Sequence, residues 1–309
     1  MKRAIITGAT GAVGMALVEE LLKNRIEVLV ICREDSARNE QLPNHPLLRK
    51  CFCSMEHWSK LQNETGKSYD VCYHFAWMGT TGAARNDMYL QNENVRFSLE
   101  AVDLAARFGC KVFVGAGSQA EYGPVEGKLV PETPAFPKTG YGIAKLCAGQ
   151  MTRERAHQLG MDHIWTRILS IYGPYDGKQS MVMSGIYQLL QNKRPQYTKG
   201  EQMWDYLYSE DAARAFRLLG EHGKDGLYCL GSGQVRPLRE YIEQIRDAVS
   251  KDAEIGIGEL PYFENQVMYL CADIEKLSED TGFLPKYSFE EGIEKTVTWC
   301  RKQAERENV

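Results

Sequence analysis

Thr7-Gly8-Ala9-Thr10-Gly11-Ala12-Val13-Gly14 lies between a short apolar run at 4–6 and an amphipathic run at 13–23. The first run is typical of a strand and the second of a helix, so the glycines occupy a strand-to-helix turn. Glycine allows a tight turn and a close backbone approach, and a helix N-terminus offers free N–H groups to an anion. We interpret this GxxGxxG turn as a dinucleotide phosphate loop rather than a plain tight turn.

Strand-like and helical runs alternate through the first half of the chain. Apolar runs predict further strands at 27–32, 47–53, 70–76, 111–115 and 163–169, with helices near 93–108 and 141–158. This alternation is typical of a parallel sheet with helices on both faces. The sequence therefore predicts an α/β fold with a doubly wound Rossmann sheet.

The rhythm changes after Pro174. Helical patterns then follow at 183–192, 211–219, 237–249, 274–280 and 289–301, with short strand patterns at 206–208 and 227–230. We predict a dinucleotide-binding domain over 1–175 that is rejoined near 205–235. A smaller C-terminal α/β lobe, formed by 176–204 and 236–309, is expected to bind substrate.

Composition narrows the class of protein. The 309 residues carry a formal net charge of −4 and are 43% hydrophobic, with no basic stripe that would suit a nucleic acid. The nine cysteines include no CxxC pair, which disfavours a zinc or dithiol site. No apolar run approaches the length of a membrane span. We expect a cytoplasmic protein without a metal, a nucleic-acid partner or a membrane segment.

The end of the second strand bears on the choice of cofactor. An acidic residue there would bind the 2′-hydroxyl of NAD, but this chain has Arg33, followed by Glu34, Asp35 and Ser36. Arginine suits the 2′-phosphate of NADP, and Ser36 would add a hydroxyl donor. A solvated arginine beside two acids is the alternative. The sequence therefore favours NADP over NAD.

Three residues form a candidate catalytic group. Tyr141 and Lys145 are spaced i, i+4 and share one face of the predicted helix. A nearby ammonium would lower the pKa of the phenol, which could then exchange a proton with a substrate oxygen. Ser118 follows a predicted parallel strand, at the sheet edge where ligands of open α/β sheets bind. Its hydroxyl could contact the same oxygen.

These motifs together resemble the extended short-chain dehydrogenase/reductase family, also called NAD-dependent epimerases/dehydratases. The matching segments are TGxxGxxG at 7–14, DxVxHxAA from 70, the Asn-Val pair at 94–95, SxxxYG at 118–123, YxxxK at 141–145 and RxxNxYGP at 167–174. The resemblance implies that Tyr141 is the acid/base and that Lys145 also holds the nicotinamide ribose. It places Phe75 and Ala76 beside the cofactor. It also implies a nucleotide-sugar substrate and a homodimer formed through the helices near 93–108 and 141–158.

Departures from the family pattern narrow the reaction. Sugar 4,6-dehydratases of this family carry an Asp-Glu pair where this chain has Gln119 and Ala120, so dehydration is disfavoured. The 3,5-epimerase/reductases carry a cysteine where this chain has Ala120. Two hypotheses remain within the family. One is an NADP-dependent reductase of a nucleotide-activated 4-keto-6-deoxy or dideoxy sugar, and the other is an NAD-dependent nucleotide-sugar 4-epimerase.

The predicted substrate pocket departs further from the family pattern than the predicted cofactor site does. Ser170 stands where the family usually has asparagine, Trp204 replaces an arginine, and Glu121 replaces an apolar residue. Candidate substrate contacts are Gln119, Ser170 and two tryptophans, Trp77 and Trp204, whose alternative role is packing between lobes. A non-catalytic dinucleotide sensor is disfavoured because all three catalytic candidates are present. An RNA-binding role is disfavoured by the net charge.

Overall fold

The computed structural model describes residues 1–263 and 266–307. Its strands are β1 (Arg3–Thr7), β2 (Glu27–Cys32), β3 (Leu48–Phe52), β4 (Val71–His74), β5 (Val112–Ser118), β6 (Asp162–Ile168), β7 (Ser170–Tyr172), β8 (Gln196–Tyr197), β9 (Met203–Trp204), β10 (Tyr206–Tyr208), β11 (Gly226–Leu230), β12 (Arg236–Pro237) and β13 (Gly256–Ile257). Its α-helices are α1 (Ala12–Lys23), α2 (Met88–Arg107), α3 (Gly140–Gln158), α4 (Met181–Leu190), α5 (Ser209–His222), α6 (Leu238–Val249), α7 (Glu275–Thr281) and α8 (Phe289–Glu307).

In the described part of the chain, seven strands form one parallel sheet in the order β11-β6-β5-β4-β1-β2-β3. The order runs one way from β1 through β2 to β3 and the other way from β4 to β6. A switch point therefore lies between β1 and β4, where ligands of such sheets bind. The predicted doubly wound α/β sheet is confirmed.

Both faces of the sheet are covered by helices. Ile5 of β1 packs with Phe97 and Phe113 in the layer formed by α2 and α3, whereas Ile6 points to Phe216 in the layer of α1 and α5. Successive residues of a strand point to opposite faces, so these neighbours enter two different cores. Burial of each such side chain stabilises the fold by about 2 kcal/mol.

The helix N-termini near the sheet edge differ in their caps. Asp87 Oδ1 accepts a bond from Leu90 N at the start of α2, and Thr139 caps α3 in the same way. α1 begins after Gly11 with no side-chain cap and no acidic residue in its first turn. Its free N–H groups are therefore available to an anion.

Several elements differ from their predicted limits. The strand predicted at 111–115 continues to Ser118, so this serine ends the strand rather than following it. The helix predicted from residue 93 begins at Met88, because Asp87 provides a cap that the apolar pattern does not reveal. The strand predicted at 70–76 ends at His74.

The C-terminal part has its own apolar cluster, in which α4, α6 and α8 pack together. Short strand pairs accompany it: β7 with β10, β9 with β12 and β8 with β13. The division into two domains stays a prediction. Residues 264–265 and 308–309 of the predicted second lobe lie outside the described residues.

Asp205 connects this part to the end of the sheet. Its Oδ1 accepts bonds from Ser232 N and Oγ, both at 2.7 Å, and its Oδ2 accepts from Gly233 N and Ala272 N at 3.1 Å. The carboxylate is fully buried. Four donors from two segments thus depend on one side chain.

Replacing Asp205 with alanine should lower the free energy of unfolding by about 3 kcal/mol, because buried N–H groups lose their acceptor. Urea denaturation followed by circular dichroism measures this change. Asp252→Ala removes an exposed carboxylate and serves as the control. Equal stability of the two variants would contradict the role given to Asp205.

Candidate active site

The glycine turn after β1 requires residues without side chains. Gly8 has φ +72°, and a Cβ there would lie 2.5 Å from Ala76 N. A Cβ on Gly14 would lie 2.4 Å from Gly8 O. A Cβ on Gly11 would meet nothing nearer than 4.0 Å, so this position faces open space at the uncapped start of α1. The turn suits a pyrophosphate.

Buried hydrogen bonds next to this turn link Thr7, His74 and Ser98. Ser98 Oγ donates to Asn94 O at 2.8 Å, so His74 Nε2 must donate to Ser98 Oγ at 3.1 Å. The other ring nitrogen, Nδ1, then accepts from Thr7 Oγ1 at 2.9 Å. Burial and the nearby Lys145 charge lower the His74 pKa to about 3, which keeps this imidazole neutral.

Arg33 lies where the sequence places the adenosine end of a dinucleotide. It directly follows β2, its side chain is 62% exposed, and its Nε is 4.0 Å from Asp35 Oδ1. Asn39 Nδ2 donates to Arg33 O at 2.6 Å and so closes the loop. Ser36 makes no capping bond in the following turn. The preference for NADP stays a prediction.

Ser118, Tyr141 and Lys145 are brought together at the carboxyl end of β5. Hydrogen bonding to Ser118 lowers the Tyr141 pKa, so these two side chains lie close together. Lys145 Nζ donates to Ala116 O of β5 at 2.6 Å. A Cβ on Gly142 would lie 2.4 Å from the backbone oxygen of Ala120, so α3 approaches the Ser118 turn very closely.

The electrostatics of Tyr141 differ from the prediction. Burial raises the pKa of this phenol, and hydrogen bonding to Ser118 and the charge of Arg85 oppose the rise. Lys145 Nζ is 5.8 Å from the Tyr141 ring centroid. The predicted lowering of the pKa by Lys145 is therefore wrong, because burial outweighs the nearby charges.

The ammonium of Lys145 instead contacts Trp77. Its Nζ lies 3.6 Å from the centroid of the indole ring, and Trp77 Nε1 donates to Gln91 Oε1 at 2.9 Å. Burial lowers the Lys145 pKa to about 7, an effect that the charge of Glu121 opposes. The indole also packs edge-on against Tyr141 at a centroid distance of 6.0 Å. Trp77 therefore packs against Tyr141 and Lys145 and not between lobes.

The other predicted substrate residues lie in two places. Trp204 Nε1 donates to Ser170 Oγ at 2.8 Å. This bond joins the end of β9 to the start of β7. Gln119 lies directly after Ser118 in a 3₁₀ turn, Gln119–Glu121. Whether they contact substrate stays a prediction.

Sequence reasoning missed Arg85 entirely. Its guanidinium carbon lies 4.2 Å from the Tyr141 ring centroid, and its Nη1 donates to Thr80 O at 2.8 Å. Arg85 belongs to a 3₁₀ turn, Gly82–Asn86, that joins β4 to α2. No motif marks this loop, so only the fold reveals that its cation reaches Tyr141. The sequence identified Glu121 only as a departure from the family pattern.

Comparison with known proteins identifies the family. The model of the NAD-dependent epimerase/dehydratase family matches residues 4–231. The chain belongs to this family. The resemblance to extended short-chain dehydrogenases/reductases, and with it the prediction of an enzyme, is confirmed.

Individual members of the family share the whole length of the chain. A dTDP-glucose 4,6-dehydratase of Streptomyces niveus is 24% identical over 97% of this chain and 93% of its own length. The solved UDP-N-acetylglucosamine 4-epimerase of Methanobrevibacter ruminantium has a TM-score of 0.87 at 23% identity, covering 98% of this chain and 99% of its own. The UDP-glucuronic acid 4-epimerase of Bacillus cereus, solved with NAD, has a TM-score of 0.83 at 20% identity, covering 98% of both chains.

No group of three His, Cys, Asp or Glu side chains within 1–263 and 266–307 is placed to hold a metal ion. All nine cysteines are free thiols. No described helix is long and apolar enough to cross a bilayer.

Replacing Gly8 with alanine should weaken dinucleotide binding at least about tenfold, because the new methyl group collides with the Ala76 backbone. Isothermal titration calorimetry with NADH and NADPH measures the affinity. Gly66→Ala is a matched control, since Gly66 has φ +65° but open space around its Cβ position. Equal affinities of the two variants would contradict the close approach inferred for Gly8.

Replacing Arg85 with glutamine should raise the Tyr141 pKa, because loss of the cation disfavours the phenolate. NMR titration of protein labelled with ¹³Cζ-tyrosine follows this group, with Tyr141→Phe assigning its signal. Arg85→Lys should restore part of the effect, and Arg239→Gln, a surface change on α6, should have none. A Tyr141 titration that does not move would exclude Arg85 from this role.

Proposed function

We propose that this chain catalyses hydride transfer at a carbinol or ketone carbon of a nucleotide-activated sugar, with NAD(P) as cofactor. One observation carries the proposal. Ser118 and Tyr141 lie at the carboxyl end of β5, with Lys145 on the same helix as Tyr141, and the open N-terminus of α1 lies at the same edge of the sheet. This arrangement brings a proton-transfer group and a phosphate-binding turn to one edge of the sheet.

The cofactor fits the residues present. When bound, NAD(P) supplies or accepts the hydride. The uncapped start of α1 and the open side of Gly11 support pyrophosphate binding at this turn. The residues proposed to hold the cofactor are Thr7, Gly8, Thr10, Gly11, Ala12, Val13, Gly14, Arg33, Ser36, Phe75, Ala76, Tyr141 and Lys145.

The proton chemistry is assigned to the three central residues. Tyr141 gives a proton to the substrate oxygen during reduction and takes one during oxidation, while Ser118 donates a hydrogen bond to the same oxygen. The raised pKa keeps the Tyr141 phenol protonated near neutral pH, which suits reduction of a ketone. Lys145, with a pKa of about 7, is proposed to bind the nicotinamide ribose.

Of the finer assignments, we propose an NADP-dependent reductase of a nucleotide-linked 4-keto-6-deoxy or dideoxy sugar. Arg33 at the end of β2 supports NADP, and Gln119 and Ala120 cannot supply the acid and base that loss of water requires. A protonated Tyr141 agrees with the reductive direction. A dinucleotide sensor would not need the trio.

A second candidate is an NAD-dependent nucleotide-sugar 4-epimerase. Several solved relatives that share nearly the whole chain are described as UDP-sugar 4-epimerases, and one is bound to NAD. In such a reaction Tyr141 would take and return the same proton. In either case the proposed contacts to the sugar and the nucleotide are Trp77, Gln119, Ser170 and Trp204.

We also propose that two copies of the chain associate through α2 and α3. These helices pack side by side on one face of the sheet. Large apolar side chains remain exposed on them, among them Tyr89 at 90%, Ile143 at 50% and Met151 at 45%. Burial of such residues against a second copy would remove apolar surface from water.

Purified protein should prefer exchangeable NADPH to NADH, and Arg33→Asp should abolish that preference, because the carboxylate repels the 2′-phosphate. Binding titrations and extraction of any bound cofactor measure this. Lys251→Asp provides the same charge change at an exposed distant site.

With a 4-keto nucleotide sugar, Tyr141→Phe should lower kcat at least about 100-fold.

The opposite outcome selects the second candidate. NAD that copurifies tightly, no preference for NADPH and interconversion of nucleotide hexoses at C4 would rule out the reductase in favour of the epimerase. Turnover of neither substrate class would refute the proposed function itself.

A further inference from the structure

A fully buried ion pair lies directly behind the Ser118 turn. Glu121 Oε2 accepts a bond from Arg167 Nε at 2.9 Å. Its other oxygen, Oε1, accepts from Ser118 N at 2.8 Å and from Trp165 Nε1 at 3.0 Å. One carboxylate therefore joins the end of β5 to two residues of β6.

The contact with Ser118 is reciprocal. Ser118 N donates to Glu121, while Ser118 Oγ accepts from Ala120 N at 3.2 Å, which completes a capping box around the 3₁₀ turn. Because Oγ already accepts a bond from the backbone, its hydrogen is free to point elsewhere. Hydrogen bonding to Ser118 lowers the Tyr141 pKa, which makes this phenol a partner for that hydrogen.

The same carboxylate helps to seat the catalytic helix. Trp165, which it binds through Nε1, packs against α3 so closely that a Cβ on Gly149 would lie 2.8 Å from the indole. Lys145 Nζ attaches α3 to the neighbouring strand through Ala116 O. The serine turn and the helix that carries Tyr141 thus share one support.

We propose that Glu121 and Arg167 form a positioning pair that directs the Ser118 hydroxyl at the Tyr141 phenol. The kinetic consequence rests on the proposed function, whereas the positioning itself does not. Neither residue touches the reacting atoms, so both act through Ser118.

Packing alone does not explain the pair. Burying two charges costs desolvation energy that an apolar pair of similar size avoids. What the carboxylate adds is an acceptor for Ser118 N and an oriented contact to Trp165.

Three charged groups among the described residues influence or flank Tyr141. They are Lys145 on α3, Arg85 from the turn before α2, and Glu121 itself. Of these charges only that of Glu121 adds to the rise that burial causes in the Tyr141 pKa. Loss of the Glu121 charge would by itself lower this pKa, so an upward shift in a variant that lacks the pair reports the position of Ser118 and not the missing charge.

The test is the double variant Glu121→Leu/Arg167→Met. Without its acceptor the Ser118 turn relaxes, and the Tyr141 phenol should titrate at higher pH in the ¹³Cζ-tyrosine experiment. Ser118→Ala should cause the same upward shift, and adding the double substitution to Ser118→Ala should cause no further one. With a nucleotide-sugar substrate, kcat should fall about 100-fold with little change in KM.

Two results would overturn the proposal. One is a Tyr141 titration that the double variant leaves unchanged, and the other is a shift that adds fully to that of Ser118→Ala. Thermal unfolding and cofactor affinity confirm that the variant is folded; failure to fold would mean that the pair is structural. Glu121→Asp retains both charges but shortens the side chain that carries the carboxylate, and it should also raise the Tyr141 pKa.

The titration does not depend on turnover. If the wild-type protein converts no nucleotide sugar, the proposed function fails while the NMR result still decides the positioning pair. If turnover is present and the Tyr141 titration is unaffected by the double variant, the function stands and the positioning pair is rejected.

Discussion

The contact between the first glycine turn and the residues after β4 is the constraint on which the site depends. Gly8 lies so close to the Ala76 backbone that no side chain fits between them. This contact brings the N-terminus of α1 to the switch point of the sheet, where its N–H groups are unpaired. The neutral His74 bonded to Thr7 holds the two strands in register beneath the turn. Without that approach, the candidate catalytic residues on β5 and α3 would lie at a sheet edge with no phosphate-binding turn.

Burial dominates the chemistry of the pair on α3. It favours the uncharged form of both side chains, so the Tyr141 pKa rises while the Lys145 pKa falls to about 7. The charge of Arg85 opposes the rise of the Tyr141 pKa, whereas the charge of Glu121 adds to that rise and opposes the fall of the Lys145 pKa. The resting site therefore holds a protonated phenol beside a lysine whose pKa has fallen toward neutral. Both pKa values therefore depend on how much water remains around these two side chains when ligands bind.

The sequence was sufficient for the features that are local. The glycine turn, the alternation of strands and helices, and the spacing of Tyr141 and Lys145 follow from short segments, and the predicted sheet is confirmed. The meeting of Ser118 with the helix pair was also anticipated, because the carboxyl ends of parallel strands share one edge. Helix starts were less accurate where a single polar cap such as Asp87 decides them.

The remaining features depend on contacts between distant segments. Arg85 reaches Tyr141 across 56 positions, and Glu121 finds Arg167 across 46, with no motif that links either pair. The sign of the Tyr141 pKa shift depends on total burial, which spacing along a helix does not report. A periodic pattern reveals which side chains share a face, but not how much water remains around them.

The contact between Trp77 and Lys145 gives the site a built-in optical signal. Indole fluorescence responds to the local electric field, and an ammonium 3.6 Å from the ring centroid is a strong source of field. Any ligand that draws the ammonium away, or any proton loss from it, alters the emission of this one tryptophan among the five in the chain. The protein can thus be monitored at Lys145 without a label, with a Trp77→Phe variant giving the background.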